Sequence, residues 1–340
     1  MIVVRAPLRI SFVGGGTDLP DFYHRRPGRV ISTAIDKFVY VVVNRTPMID
    51  KVTARYAITE SVEKLEDLKH TRIKAALTHH GIEKGIEISS FASMPAKTGL
   101  GSSSSFSVAL IKALNAFQGK KIDAAEAAEA ASHLEIHLVG EPIGKQDQYA
   151  ASFGGFNVIQ FNPDESVDVA PVLIDYKKKL LFQDSLLLFY TGLTRAASSV
   201  LTEQKANIDS KFQTLSEMAD SVPEFADRVS VGDIRGLGAM LHQGWLKKKS
   251  LASNVSNSTI DDLYSAGINS GALGGKILGA GGGGCVLFIC PNDKKDAIRE
   301  SVQKVASEKD LNEFREIPIK FVQSGTEVLY NGDQAQFPLA

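Results

Sequence analysis

The run Pro95-Ala-Lys-Thr-Gly-Leu-Gly-Ser-Ser-Ser-Ser is the densest candidate for chemistry in this 340-residue chain. It stands between an apolar run suited to a strand, residues 86–93, and a stretch in which Phe106, Leu110, Ala113, Leu114 and Phe117 recur at helical spacing. A glycine turn that opens a helix is what phosphate binding requires. Gly99 and Gly101 let the backbone approach an anion, and the free N–H groups of the first helical turn donate to its oxygens. The hydroxyls of Ser102, Ser103, Ser104 and Ser105 add hydrogen bonds or help to hold Mg²⁺. A helix cap with a flexible lead-in needs fewer serines and glycines than stand here, so the loop reads as a phosphate site. It is not a Walker loop, because no lysine follows the glycines at the required spacing.

A second loop, Gly279-Ala-Gly-Gly-Gly-Gly, contains a literal G-x-G-x-x-G. A dinucleotide site needs a helix after those glycines, to point its N-terminus at the pyrophosphate. Cys285-Val-Leu-Phe-Ile-Cys290 follows instead and reads as a strand, so the loop is a tight connection between strands. Four successive glycines still imply close backbone approach to a ligand or to another part of the chain.

The remaining candidates are single residues. Arg9 lies in Ala6-Pro-Leu-Arg-Ile-Ser-Phe, just before the turn Gly14-Gly-Gly-Thr-Asp18. Asp18 on such a turn fits an Asx turn as well as a binding role. Glu135 falls near the C-terminal end of an alanine-rich helix that starts at Asp123 and runs to about Leu138. A carboxylate there opposes the helix dipole and gains from a cation: Mg²⁺, His133 or His137. Asp147 in Gly144-Lys-Gln-Asp-Gln-Tyr fits a surface turn equally well. Arg25, Arg26 and Arg29 lie close together, and charge alone reads them as a solvated loop.

The elements that position these residues divide at the Pro- and Asp-containing stretch 162–176, giving an N-terminal domain over 1–165 and a C-terminal domain over 166–340. Residues 2–13 and 37–45 read as strands, as does Ser185–Tyr190. Helices are expected over about 198–218, 231–249, from Ser258, and over 294–307, with a last strand at 316–322. The composition, 44% hydrophobic and 23% charged with a formal net charge of -1, suits packed domains and offers no argument for nucleic acid or an anionic membrane. Cys285 and Cys290, the two cysteines, share one apolar run, where a disulfide is not expected; this suits a reducing compartment. No apolar stretch approaches the ~20 residues of a membrane span. Cytoplasmic localisation is the expectation.

Together these motifs resemble the GHMP kinases, the superfamily of galactokinase, homoserine kinase, mevalonate kinase and phosphomevalonate kinase. The match is carried in order by Ala6–Asp18, Pro95–Ser105 and Lys276–Cys285. The resemblance implies an α+β, two-domain fold: an N-terminal domain with a left-handed βαβ unit and a C-terminal ferredoxin-like domain. It implies ATP phosphates on Pro95, Lys97 and Gly99–Ser105, Leu100 included, with Mg²⁺ on Ser103 and Glu135. Asp147 matches the catalytic aspartate and Arg9 a basic residue that steadies the transferred charge. Asp18 matches a sugar-binding aspartate, with Gly15, Gly16 and Thr17 beside it and Gly282 in the loop that shapes the cleft. Galactokinases carry Glu-His where Gly15-Gly16 stand. The segments Gly14–Asp18, Gly144–Gln148 and Thr191-Gly-Leu-Thr-Arg195 look most like heptose kinases that phosphorylate C1 of D-glycero-D-manno-heptose 7-phosphate, with fucokinase domains close by. A substrate phosphate would need a basic site, for which Arg29, Lys145 and Arg195 are candidates. The expected partner is a small sugar or sugar phosphate, without nucleic acid or membrane, and a homodimer is left open.

Overall fold

The computed structural model describes residues 1–194 and 197–332. An eight-stranded sheet is built from β1 (Ile2–Val13), β2 (Gly28–Arg45), β3 (Val52–Arg55), β4 (Thr59–Val62), β5 (Ile86–Ala92), β6 (Phe156–Phe161), β7 (Val167–Pro171) and a strand from the far end of the chain, Glu327–Asn331. Its spine is the long antiparallel pair β1·β2, in register from Ile2 opposite Val43 to Val13 opposite Ile31. The register shifts between Pro7 and Leu8, where proline has no N–H for the ladder. Arg9 follows directly; such irregularities re-aim side chains beside functional sites.

The helix Ser102–Phe117 lies on this sheet, its side chains from Ser104 onward almost all buried. It starts at Gly101, whose φ of 78° is left-handed and which supplies no side chain to cap the first turn. The N–H groups of that turn therefore stay available to a ligand. The helix Ala124–His133 opens at Asp123 as expected, in a capping box closed by Glu126, and then widens into a π-helical turn over Leu134–Leu138. That turn carries Glu135.

A second sheet is antiparallel: β8 (Leu186–Tyr190), β9 (Gly274–Ile277), β10 (Cys285–Ile289) and β11 (Arg315–Glu316), in the order β11-β8-β10-β9. Helices occupy the β8–β9 connection and, over Lys295–Glu308, the β10–β11 connection. This fourth-first-third-second order is the ferredoxin-like arrangement. One apolar core runs through both sheets, joining Ile2, Leu8 and Phe12 to Leu188, Leu278 and Leu287.

Three details differ from the periodicity reading. The segment expected as two helices over 198–218 and 231–249 is three: Ala197–Ala206, Ile208–Val231 and Ile234–Lys249. Gly232 ends the second at φ 81°, and Asp233 caps the third. Of the strand expected at 316–322 only Glu316, with Arg315 before it, pairs as such; beyond it the chain crosses to the first sheet, where Val322 N–H donates to Ala34 O. It then forms the strand Glu327–Asn331 beside β1, too exposed and irregular in pattern to be read from alternation. The first sheet thus takes Val167–Pro171 and Glu327–Asn331 from beyond residue 165.

Candidate active site

The two glycine loops meet. A side chain on Gly99 would place its Cβ 2.5 Å from Leu278 O, and one on Gly284 would stand 2.6 Å from Thr98 O. Cys285 N–H donates to Thr98 O at 2.9 Å. Backbone touches backbone here, which only glycine permits. A cavity of about 660 Å³ opens beside this contact, lined among others by Lys97, Gly99, Gly101, Ser102, Ser103 and Ser104 from the first loop and by Gly279–Gly281 from the second.

Arg9 and Asp147 face each other in this cavity. Arg9 Nε donates to Asp147 Oδ1 at 2.8 Å and Nη2 to Oδ2 at 2.7 Å, a bidentate pair. Its Nη1 donates to Gly99 O at 2.6 Å, tying the pair to the phosphate loop. Arg9 is buried, while a quarter of the Asp147 side chain stays exposed to the cavity. Asp147 sits in the first turn of the short helix Gln146–Phe153.

Asp18 lies behind this pair. It accepts from Gly16 N–H at 3.1 Å and from Gln146 N–H at 3.3 Å. A Cβ on Gly144 would fall 2.1 Å from Asp18 Oδ2, so the glycine makes room for the carboxylate. Burial, and next the nearby charge of Asp147, push the Asp18 carboxyl above the usual range. Gln146 Oε1 also accepts from Ser11 Oγ at 3.1 Å.

Two lysines complete the wall. Lys248 Nζ reaches the carbonyls of Gly279 and Ile277. Burial first, then the charge of Arg9, bring it down to about 8, against the pull of Asp147 and Asp18. Lys276 Nζ donates to Ser11 O at 3.0 Å and Phe12 O at 2.7 Å, and burial holds its pKa well below the lysine range. Lys276 was visible only as part of the second glycine motif. Lys248 was missed because Lys247-Lys248-Lys249 reads as a solvated charge run.

Glu135 is fully buried and lines the same cavity. Arg72 Nε donates to Oε1 at 3.0 Å and Gln148 Nε2 to Oε2 at 2.6 Å. Burial raises its pKa and the Arg72 guanidinium opposes that rise. Its hydroxyl neighbour is Ser104, on the first turn of the phosphate-loop helix. The cation beside Glu135 is thus Arg72 rather than His133 or His137, a residue to which no sequence motif pointed. Among the described residues no group of three His, Cys, Asp or Glu side chains could hold a metal. Glu135 and the Ser104 hydroxyl beside it, with Ser103 on the same cavity wall, are hard oxygen donors of the kind that suit Mg²⁺, which needs few protein ligands when phosphates supply the rest.

Several expected residues lie elsewhere. Lys145 is buried between Glu129 and Glu165, 2.9 Å from each, and does not line the cavity. Arg29 Nε donates to Gln160 Oε1 at 2.6 Å, away from the cleft. Neither lines the cavity, and each has a side-chain partner on a neighbouring element. Thr17 is buried, its hydroxyl donating to Gly14 O and accepting from Arg29 N–H, which shapes the turn rather than a ligand. Ser105 Oγ donates to Pro7 O under the sheet. Pro95, Leu100 and Gly282 frame the loops without lining the cavity, whereas Gly15, Gly16 and Asp18 do line it. Arg195 lies outside the described residues.

The fold and the two apposed loops define the class. The profile of the GHMP kinases N terminal domain matches residues 67–155 and that of the GHMP kinases C terminal domain residues 221–308, together just over half the chain. The chain belongs to the GHMP kinases, enzymes that use ATP to phosphorylate an alcohol group. A D-glycero-alpha-D-manno-heptose 7-phosphate kinase of Campylobacter jejuni is 27% identical over 318 residues, covering 89% of this chain and 93% of its own. An L-fucokinase/L-fucose-1-P guanylyltransferase of Bacteroides fragilis is 27% identical over 355 residues, covering 91% of this chain and 36% of its own. In fold, the crystal structure of a D-glycero-D-manno-heptose 1-phosphate kinase from Bacteroides thetaiotaomicron superposes with a TM-score of 0.78 at 21% identity, over 97% of this chain and 99% of that one. Among the described residues no helix is long and apolar enough to cross a membrane.

Proposed function

We propose that this kinase transfers the γ-phosphoryl group of ATP to the anomeric C1 hydroxyl of a sugar, with D-glycero-D-manno-heptose 7-phosphate as the substrate. The observation that carries the reading is the Arg9–Asp147 pair, bound to Gly99 at the phosphate loop and facing Asp18 in one cavity. The likeness to the Campylobacter jejuni enzyme supports the choice of sugar.

The chain's groups divide the work. Val39, Phe91, Met94 and Phe106 line the cavity and offer an apolar seat for the base. The phosphates lie on the N–H groups and hydroxyls of Gly101–Ser104. Ser103 and Glu135 would hold Mg²⁺, which neutralises phosphate charge when bound. Asp18, fixed by Gly16 and Gln146, orients a sugar hydroxyl. The sugar oxygen bonds to the γ-phosphorus as the bond from that phosphorus to the β–γ bridging oxygen breaks, and ADP leaves. Asp147 accepts the hydroxyl proton while Arg9 steadies the charge on the transferring group.

An ADP-release assay over a panel of sugars checks this. Heptose 7-phosphate, the unphosphorylated heptose, L-fucose, D-galactose and mevalonate are offered with ATP and Mg²⁺, and the position of the new phosphate is read by NMR. Turnover confined to L-fucose supports the second reading, favoured by the Bacteroides fragilis relative. No turnover with any sugar overturns both.

A further inference from the structure

Gly15 differs from its neighbours. Gly14 and Gly16 take left-handed φ angles of 87° and 96°, and a Cβ on either would strike other atoms. Gly15 needs no such angle, and a Cβ there would meet nothing within 4 Å. Neither backbone conformation nor packing calls for glycine, so the space over it is free for a ligand.

That space is bordered by groups awaiting partners. Gln204 is 4% exposed, lines the cavity beside Gly16, and its Nε2 has no hydrogen-bond acceptor among the described residues. A buried amide N–H left so keeps the full penalty of its desolvation unless a ligand satisfies it. Lys248 reaches Gly279 O and, at the long distance of 3.5 Å, Ile277 O, and among the described residues no carboxylate holds it; Arg9 and Arg72 in the same cavity are held by carboxylates, and Lys276 donates to its two carbonyls at 3.0 and 2.7 Å. Gly15, Lys248 and Lys276 also wall a second cavity of about 260 Å³ between the helices Ile208–Val231 and Ile234–Lys249. The partition between the two cavities therefore has no side chain at one point and a cationic one beside it.

We infer that the acceptor carries an anionic exocyclic arm, which passes over Gly15, takes a hydrogen bond from Gln204 and sets its terminal phosphate against Lys248. This rests on the proposed sugar-kinase function and moves the phosphate site from Arg29 and Lys145 to Lys248. Glycine at position 15 is then a specificity determinant: a side chain there would close the way to the arm.

The test uses the full chain with a non-hydrolysable ATP analogue and Mg²⁺. Binding of heptose 7-phosphate and of unphosphorylated heptose is measured by calorimetry, and kcat/KM for both with ATP. In the wild type the phosphorylated sugar should bind at least about tenfold more tightly, the scale of one charge-assisted contact. Gly15→Leu and Lys248→Met should each erase most of that preference, and Gln204→Leu should weaken binding of the phosphorylated sugar. Gly15→Leu should melt as the wild type does, since the space is open. Equal binding of both sugars by the wild type, or a preference that survives both Gly15→Leu and Lys248→Met, overturns the arm site even where sugar turnover stands. A preference in binding with no turnover on any sugar sustains the arm site and overturns the kinase reading instead.

Discussion

Asp147 has both oxygens engaged by Arg9, so its carboxylate is aimed before a substrate arrives. Asp147→Asn keeps the shape and removes the proposed base. Turnover should fall by about 10²–10⁴-fold, the usual contribution of general-base catalysis, while ATP affinity, set by the loop N–H groups, should hold. Near-normal turnover, read in a steady-state assay, would remove Asp147 from the mechanism. Lys248 predicts a pH dependence. In the folded protein it loses its proton near pH 8, whereas an unfolded lysine keeps it to about 10.4. The charged form is thus the costly one in the fold: the cost is full below about 8 and disappears as pH rises towards 10.4, so this group adds stability with rising pH in that window. Binding of an anionic sugar runs the other way. Its kcat/KM should decline as pH climbs through about 8, and Lys248→Met should lack that limb. A limb that persists in the variant would belong to another group.

At the scale of elements, the apposed glycine loops are the hinge of the site. Gly99→Ala would drive a Cβ to 2.5 Å from Leu278 O at a residue with φ of 77°. Left-handed backbone costs about 1–2 kcal/mol for alanine and overpacking about 1–3, so the variant should lose about 2–5 kcal/mol in a urea titration and bind ATP more weakly. A midpoint equal to the wild type would mean that the loops part without cost. Both loops were legible in the sequence because composition and position coincide: glycines and serines between a strand and a helical period, and glycines between two apolar runs. The Asp123 cap was legible for the same local reason. What could not be read depends on distant partners. Lys145 resembles a free cation until Glu129 and Glu165 are brought beside it by the helix Ala124–His133 and the β6–β7 turn. Lys248 resembles a solvated lysine until the helix Ile234–Lys249 presses it against the carbonyls after β9. The strand Glu327–Asn331 shows its place only through β1.

At the scale of the whole molecule, the chain is woven so that the first sheet is not complete without strands from the other half, and the two sheets share contacts. Glu327–Asn331 pairs with β1, Lys112 Nζ donates to Thr326 O at 3.1 Å, and Thr326 Oγ1 donates to Ala151 O at 2.9 Å. Lys276 from the second sheet holds the carbonyls of Ser11 and Phe12 in the first, and Cys285 N–H reaches Thr98. Phe12 packs on Phe156, Phe182 and Phe225 at ring-centroid distances of 5.6, 5.2 and 5.4 Å, so the apolar core itself crosses between the halves. Two separable domains would each bury their own core and melt independently. Here, loosening either sheet exposes apolar surface of the other and frees buried cationic and backbone groups from their partners. Scanning calorimetry should therefore give one transition whose calorimetric and van't Hoff enthalpies agree. Saturating ATP should move that whole transition upward, by about 2.7 kcal/mol of stability at a hundredfold excess over Kd. Two resolved peaks, or a peak of which ATP shifts only part, would mean that the halves unfold separately and that the cleft is a contact between independent bodies.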